Sequence, residues 1–350
     1  GARLLRSRSG HSAPPCAVRF HADSLLAGGG PAGQAYLLSG GADRTLRQSS
    51  IWSSQQDAEF SQRREEKKHS MHVHESEARR LPPLLDLATS QVRERDWSNI
   101  LTCHAGCRQA YTWQSTRRAL GPHTLQLASA ANVTAVAISA CGNFGYLGGA
   151  TGAIEKFNLQ SGTRRATAPT ASLHEGSVRG LAAEPLSRAV FSGGADGTIR
   201  SWQPSDLKPL STLQAGAPVA LLRHHRDSIL LAAACDDLCV RVFDVVLGRL
   251  VRQLSGHKNT ISDLAWSADG RWLLSTSLDA TIRVTDVPSG VCIGWYAVED
   301  PATSIAVSPQ GEYIATAHAA TTALCVWANR SFFESALPTP AGERPQKLEM

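Results

Sequence analysis

The chain has 350 residues, a hydrophobic fraction of 42%, a charged fraction of 19% and a formal net charge of +5 at pH 7. This much apolar sequence excludes wholesale disorder, and no segment approaches the roughly 18 apolar residues of a membrane-spanning helix. The mild positive charge permits contact with nucleic acid but does not indicate a dedicated RNA-binding protein. The eight cysteines lie mostly inside predicted strands, which indicates small buried hydrophobes in a reducing compartment.

Five segments of similar sequence recur along the chain and form its strongest pattern. The third residues of these segments lie 45, 41, 42 and 42 residues apart, at Ile154, Ile199, Val240, Ile282 and Leu324. A period near 42 residues is typical of the blades of a WD40 β-propeller.

The unit that begins at Gly256-His257 shows the parts of a blade most clearly. Its apolar residues fall into four short stretches, which are separated by turns rich in Gly, Asp and Pro. Four short strands per repeat at even spacing are typical of a propeller blade. The predicted strands cover residues 261–266, 272–275, 282–285 and 291–296.

Six further units surround this one, at residues 10–46, 100–125, 133–162, 174–202, 230–244 and 304–327. Seven units of about 42 residues account for about 294 residues, so the whole chain fits one ring. The sequence therefore predicts an all-β fold, a WD40 β-propeller of seven blades with four antiparallel strands each and one long loop insertion. Closure of such a ring requires a strand from one terminus to complete the blade of the other, which removes free sheet edges.

Composition divides the chain into five segments. Residues 1–9 are assigned to a tail that begins without an initiator Met, as in a fragment or processed product, and residues 10–52 to the first blade. Residues 53–90 form an insertion of mixed charge with three histidines, a composition typical of a solvated or disordered loop. Residues 91–332 hold the remaining blades, and residues 333–350 form a tail with three prolines.

Two His–Asp pairs resemble catalytic pairs. His174 with Asp196 and His257 with Asp279 each combine a His ahead of a first strand with an Asp in a tight turn. Because the arrangement recurs in different blades and buried polar groups must be paired, it predicts a structural hydrogen-bond network rather than catalysis. The other predicted members of this network are Ser192, Trp202 and Ser275.

The histidine and cysteine clusters are weak signals for a metal. His69, His72 and His74 have loose spacing and no rigid frame, and Cys103-His104-x-x-Cys107 has no second cysteine pair nearby, so that it is more typical of a strand–turn–strand. No phosphate-binding loop and no Gly-x-Ser-x-Gly elbow occurs in the sequence. We therefore expect no catalytic residue, no metal and no cofactor.

A run of basic residues leaves two interpretations open, a solvated rim or a contact with phosphate or an acidic partner. The aromatic fraction of 6% is low, which argues against base stacking. Repeat geometry places the residues around each first strand toward one face, and we predict partner contacts there at Arg179 and Ser262. The basic residues are Arg179, Arg223, His224, His225, Arg226, Arg241, Arg249 and Arg252.

Three longer strings carry a more specific signal than the repeat itself. They read AISACGNFG at residues 137–145, HEGSVRG at 174–180 and SADGRWL at 267–273. In this order they resemble the second propeller of the U3 small nucleolar RNA-associated protein twenty-one family, the WD-repeat subunit of the UTP-B module in the small-subunit processome. The resemblance extends over about residues 10–332.

The resemblance implies a non-catalytic scaffold in the nucleus and nucleolus that supports pre-rRNA processing and small ribosomal subunit biogenesis through protein–protein contacts. The implied partners are the other UTP-B processome proteins, with U3 small nucleolar RNA and pre-rRNA nearby and direct RNA contact left open. No membrane and no small-molecule substrate is implied. The family's first propeller and C-terminal helical domain are missing from this sequence, and its basic linker is replaced by the more acidic, His-rich insertion.

The alternative is a generic WD40 adaptor, such as a substrate receptor of a ubiquitin ligase. Such receptors often carry an Arg shortly after a Trp-Asp pair. The sequence lacks that Arg after Asp244 and after Asp286, which weighs against this alternative.

Overall fold

Short strands make up nearly all the regular structure of the described residues. The computed structural model describes residues 2–22, 35–62, 80–329, 342 and 345–348. Among these residues, two 3-10 turns, Ser54–Gln56 and Thr170–Ser172, interrupt an otherwise all-β structure. Inner strands such as Leu230–Cys235 (LLAAAC) are continuous apolar runs because both of their faces are buried. Outer strands such as Pro209–Gln214 are largely exposed.

The strands form seven sheets, and we number these blades in chain order. Blade 1 contains β2 (Pro15–Ala22), β3 (Ala35–Gly41), β4 (Leu46–Ser50) and β5 (Ala58–Glu59). Blade 2 contains β6 (Leu84–Thr89), β7 (Ile100–His104), β8 (Gln109–Gln114) and β9 (Ala119–Gln126). Blade 3 contains β10 (Val133–Ile138), β11 (Phe144–Gly149), β12 (Ile154–Asn158) and β13 (Arg164–Thr167).

The remaining blades repeat this order. Blade 4 contains β14 (Val178–Ala183), β15 (Val190–Gly194), β16 (Thr198–Trp202) and β17 (Pro209–Gln214). Blade 5 contains β18 (Val219–His224), β19 (Leu230–Cys235), β20 (Val240–Asp244) and β21 (Arg249–Leu254). Blade 6 contains β22 (Ile261–Trp266), β23 (Trp272–Ser277), β24 (Thr281–Asp286) and β25 (Val291–Ala297). Blade 7 contains β26 (Ala302–Val307), β27 (Tyr313–His318), β28 (Leu324–Asn329) and β1 (Ala2–Arg8).

The blades close into a ring around a central channel. The first strands of successive blades pack against one another, including β2 of blade 1 against β26 of blade 7. The N-terminal strand β1 pairs antiparallel with β28 and supplies the fourth strand of blade 7. The predicted propeller of seven blades with four antiparallel strands each is therefore confirmed.

Two strands lie where the sequence suggested tails. Residues 2–8 form β1, because the unpaired edge of β28 needs a hydrogen-bonding partner. Near the C-terminus, β29 (Gln346–Lys347) pairs in parallel with β25 as a fifth strand of blade 6, and Leu348 is buried in the cluster between blades 6 and 7.

Strands also occur in both described ends of the segment 53–90, where the composition predicted a loop. It contains β5, which completes blade 1, and β6, which opens blade 2. Its centre, residues 63–79, which includes His69, His72 and His74, lies outside the described residues, as does most of the tail from residue 333.

The hydrophobic core lies between blades rather than in one central layer. One cluster joins Tyr146 and Ile154 of blade 3 to Val178 and Trp202 of blade 4, and similar clusters follow around the ring. In the part of the chain that the structure describes, no helix has the length and hydropathy needed to span a membrane.

A β-bulge at the start of every first strand sets the two faces of the ring. In each blade the register shifts between the first and third residues of this strand. We call the face at these strand starts the bulge face. It also carries the turns between second and third strands, since the strands run antiparallel. The opposite face, here the loop face, carries the loops after the first strands and the turns between third and fourth strands. The bulge residues are Cys16, Leu85, Thr134, Arg179, Ala220, Ser262 and Thr303.

Candidate functional site

A buried hydrogen-bond chain in blade 4 links the second and third strands to the turn between them and to the loop ahead of the first strand. His174 Nδ1 lies 3.0 Å from both carboxylate oxygens of Asp196, and its Nε2 lies 2.7 Å from Ser192 Oγ. The indole N–H of Trp202 donates to Ser192 Oγ at 2.8 Å. Asp196 also accepts from the backbone N–H and the hydroxyl of Thr198, at 3.0 and 2.8 Å. The predicted members therefore lie together, and Thr198 is an addition.

The electrostatics of this chain are those of a structural element. Burial lowers the pKa of His174, so that the ring is neutral at pH 7, donates from Nδ1 to Asp196 and accepts the Ser192 hydroxyl at Nε2. Burial opposes ionisation of Asp196, but hydrogen bonds from Thr198 and His174 outweigh it and lower the pKa of Asp196 to about 2. Ser192 is fully buried and its hydroxyl is committed on both sides, which leaves no accessible nucleophile here.

Blade 6 repeats the arrangement without the indole. His257 Nδ1 lies 3.1 Å from Asp279, and His257 Nε2 lies 2.8 Å from Ser275 Oγ. The hydroxyl of Thr281 donates to Asp279 at 2.6 Å. Thr285 occupies the position that Trp202 has in blade 4.

Three further networks escaped the sequence analysis. In blade 1, His11 lies 2.8 Å from Asp43 and 2.7 Å from Ser39. In blades 2 and 7 the histidine comes from the second strand: His104 Nε2 lies 2.9 Å from Thr102 Oγ1, and His318 Nε2 lies 2.8 Å from Thr316 Oγ1. The sequence pattern that could have predicted the networks of blades 2 and 7 is Thr-x-His in the second strand followed by Trp in the third strand.

The two predicted partner contacts are both bulge residues, but their surroundings differ. Arg179 is exposed on the bulge face and its guanidinium lies 2.7 Å from Asp236 of blade 5. Ser262 is half-buried and donates to the backbone carbonyl of Ala302 in blade 7 at 2.5 Å. Three other bulge residues also donate from the side chain to a backbone carbonyl of the next blade. These hydrogen bonds run from Cys16 to Leu84, from Thr134 to Val178 and from Thr303 to Pro15.

An ion triad with a buried carboxylate and two half-buried arginines lies across the central channel. Asp263 of blade 6 lies 2.8 Å from Arg19 of blade 1 and 2.8 Å from Arg223 of blade 5. Ser304 of blade 7 donates to the same carboxylate at 2.5 Å. Burial opposes ionisation of Asp263, but the charges of Arg19 and Arg223 outweigh it and lower its pKa to about 2. The triad ties together blades that are not all neighbours in the ring.

The channel widens toward the loop face into a cavity of about 440 Å³. Its wall combines the Arg19 and Arg223 side chains with the rings of Phe20, His224 and Trp266. The two guanidinium groups already face Asp263, so they are not free for an added anion.

The basic run does not form one patch. Arg223 lies in the channel, and Arg241 is buried against Asp237 with contacts of 2.5 and 3.0 Å. Arg226 and Arg249 are exposed on the loop-face side of blade 5.

The cysteine cluster forms a strand and turn. Cys103 is buried in β7, and His104 Nδ1 donates to the carbonyl of Pro82 at 2.7 Å. Burial raises the pKa of both the Cys103 and Cys107 thiols, which disfavours the thiolate that a metal needs. Among the described residues, no group of three or more His, Cys, Asp or Glu is arranged to hold a metal ion.

These features define a class of protein, the WD40 β-propellers, in which polar groups recur from blade to blade to hold the ring together. A WD-repeat model matches residues 2–48. The model of the WDR36/Utp21 second beta-propeller domain matches residues 30–350, and the chain belongs to this family. The resemblance seen in the sequence is thereby confirmed.

Curated relatives support the same assignment. The chain is 37% identical to U3 small nucleolar RNA-associated protein 21 of Saccharomyces cerevisiae, over 95% of this chain and 34% of that protein. It is 33% identical to the homologous protein of Schizosaccharomyces pombe, over 95% and 36%. It is 32% identical to WD repeat-containing protein 36 of Homo sapiens, over 98% and 38%. The chain thus spans about a third of the length of these relatives.

Proposed function

We propose that the chain is a non-catalytic WD40 scaffold of the nucleolar small-subunit processome, which supports pre-rRNA processing and small ribosomal subunit biogenesis through protein–protein contacts. Membership of the WDR36/Utp21 family is the observation that carries this proposal. Two of the relatives are named for their association with U3 small nucleolar RNA. The proposed partners are the other UTP-B proteins, with U3 small nucleolar RNA and pre-rRNA nearby.

The geometry favours a scaffold over an enzyme. Each His–Asp pair is part of a closed network in which a buried Ser hydroxyl contacts the remaining histidine nitrogen. Such groups stabilise a rigid ring, and a rigid ring presents several surfaces to several partners at once. Binding energy then concentrates in a few well-packed residues near the centre of each interface.

The surface favours protein over single-stranded RNA as the direct contact. Among the exposed large hydrophobic residues of the described chain, Trp52 is the one aromatic. Base stacking, which is the main sequence-tolerant contact to single-stranded RNA, needs exposed aromatic platforms. We therefore propose that the RNA lies near the propeller and that proteins occupy its faces.

An affinity purification of the tagged full-length gene product, analysed by mass spectrometry and RNA sequencing, tests this proposal. The expected result is recovery of the other UTP-B proteins together with U3 small nucleolar RNA. Recovery of cullin-ligase adaptors without nucleolar proteins would overturn it in favour of the generic WD40 adaptor. A tagged unrelated propeller serves as the control for nonspecific recovery.

A further inference from the structure

The turn between the third and fourth strands of blade 5 carries two apolar residues that the fold does not explain. Val246 and Leu247 are 62% and 60% exposed at its tip. Both of their backbone N–H groups donate to Asp244 Oδ1, at 3.0 and 2.8 Å. The turn is therefore held by hydrogen bonds from its backbone to the Asp244 carboxylate. The Val246 and Leu247 side chains take no part in these hydrogen bonds.

Equivalent turns in other blades show what the fold requires at these positions. In blades 3 and 6 the same five-residue turn ends in Gly162 and Gly290, with positive φ values of 69° and 75° like the 65° of Gly248. These turns likewise begin with a side chain that caps the tip, Asn158 or Asp286. Their exposed tip residues are Gln160-Ser161 in blade 3 and Pro288-Ser289 in blade 6, and the corresponding tip of blade 4 is Ser205-Asp206.

Two further exposed apolar residues lie next to this turn in the same blade, and together with the tip residues they make up what we call the blade 5 patch, defined as Ile229, Val246, Leu247 and Leu250. Ile229 lies in the loop after the first strand and is 39% exposed, and Leu250 lies in β21 and is 46% exposed. The backbone N–H of Val245 donates to the carbonyl of Ile229 at 3.0 Å, which fixes the loop beside the turn. Exposed apolar residues grouped in one part of a surface and flanked by polar ones are a feature of interaction sites.

Charge around the patch indicates the chemistry of the partner. Arg226 and Arg249 are exposed beside it, and among the described residues neither has an ion-pair partner. Asp227 is the one exposed acidic residue of the same loop. A complementary surface therefore carries apolar side chains next to carboxylates. The patch itself contains no aromatic ring on which a base could stack, which disfavours RNA as its occupant.

We propose that the blade 5 patch is a docking site for a protein segment in which acidic residues flank apolar ones. The proposal rests on the proposed function in one respect, since the segment belongs to a processome protein. Val246 and Leu247 provide the apolar anchor at the centre, and Arg226 and Arg249 orient the segment from its edge.

Site-specific photo-crosslinking in the full-length protein tests this directly. A benzophenone amino acid replaces Leu247, and in the matched control it replaces Ser161 at the equivalent tip of blade 3. The expected result is a crosslink from position 247, and none from position 161, to one peptide that combines Asp or Glu with apolar residues. A crosslink to RNA, to a second copy of this chain, or of equal yield at both positions would overturn the proposal.

A substitution arm measures the contribution of the side chains. The double variant V246S/L247D gives blade 5 the tip of blade 4, and Q160S/S161D makes the same change in blade 3. We expect V246S/L247D to reduce recovery of the crosslinked partner at least tenfold, with unchanged thermal unfolding, and Q160S/S161D to leave recovery unchanged. Unchanged recovery with V246S/L247D contradicts the proposal. Failure of the wild-type protein to recover processome proteins contradicts the proposed function instead, whatever peptide is crosslinked at position 247.

Discussion

At the scale of single residues, the five blades that carry an aromatic residue at the third-strand position of Trp202 (blades 2, 3, 4, 5 and 7) pair it with a matching second-strand partner. The indole N–H groups of Trp113, Trp202 and Trp327 donate to a Ser or Thr hydroxyl at 2.8 to 2.9 Å. In blades 3 and 5 the aromatic residue is Phe157 or Phe243, and the second-strand position holds an apolar Leu or Ala. A buried indole needs an acceptor and a phenyl ring does not, so the two positions change together in these five blades.

The histidines follow a similar exchange. In blade 4 a Cβ added at Gly194 would lie 2.3 Å from His174 Nδ1, so that the loop histidine fills the space beside this glycine. In blades 2 and 7 the same second-strand position is itself a histidine, His104 or His318. A histidine ring nitrogen thus reaches the Ser or Thr hydroxyl from one of two positions, from the loop ahead of the first strand in blades 1, 4 and 6 and from the second strand in blades 2 and 7.

The substitution Ser192→Ala tests the importance of the blade 4 network. It leaves His174 Nε2 and the indole N–H of Trp202 buried without a partner, which costs about 1–3 kcal/mol of unfolding free energy. The measurement is chemical denaturation of the 350-residue chain. Ser205→Ala, at an exposed hydroxyl that contacts Asp206 in the same turn, serves as the control and stays within about 0.5 kcal/mol. Equal effects of the two substitutions would contradict the prediction.

At the scale of elements, the closing blade depends on a strand from the opposite end of the chain. β1 and β28 share six paired positions, and Leu4 packs on the cluster that contains Trp327. Without β1, the outer edge of β28 would present unpaired N–H and C=O groups, which template aggregation. The N-terminal strand thus does for blade 7 what a local fourth strand does for every other blade.

Deletion of residues 2–8 is expected to destabilise the ring by several times the ~1 kcal/mol net contribution of one hydrogen bond. The truncated chain is also expected to self-associate through the exposed edge of β28. Denaturation and size-exclusion chromatography measure the two effects. The control is Arg3→Ala, because Arg3 is exposed on the same strand. A truncated chain that stays monomeric with an unchanged midpoint would show that the ring closes without β1.

At the scale of the whole molecule, the ion triad and the bulge contacts tie blades together around the channel. The Asp263 side chain is almost completely buried, and its negative charge compensates the positive charges of two arginines from two other blades. Ser262, next to it in sequence, donates to the following blade instead. One short strand segment therefore secures both the channel and a seam between blades.

Asp263→Asn is expected to cost about 1.5–3 kcal/mol, because it removes the charge-assisted hydrogen bonds that Arg19 and Arg223 make to the buried carboxylate. The contrast is Asp236→Asn, which removes the exposed ion pair with Arg179 and is expected to cost less than about 1 kcal/mol. Urea or guanidinium denaturation of both variants measures the difference. A cost at Asp263 as small as that at Asp236 would mean that solvent screens even the buried carboxylate.

The sequence by itself determined the blade number, the fold class and the family. The turns of a blade are formed by local contacts, since an Asp such as Asp279 accepts hydrogen bonds from residues close to it in sequence. A local pattern that recurs about every 42 residues can be recognised from the sequence alone. The members of the blade 4 and blade 6 networks followed from the same recurrence. The networks of blades 2 and 7 did not, because their histidines lie on a strand rather than ahead of one.

Only the tertiary structure decided how the ring closes and which charges meet inside it. The pairing of β1 with β28 and the contact between Arg19 and Asp263, 244 residues apart, join segments with no local sequence relation. Exposure was likewise invisible in the sequence. Val246 and Leu247 read as part of an apolar stretch after β20, and the turn that presents them to solvent exists because Asp244 caps it and Gly248 adopts a positive φ.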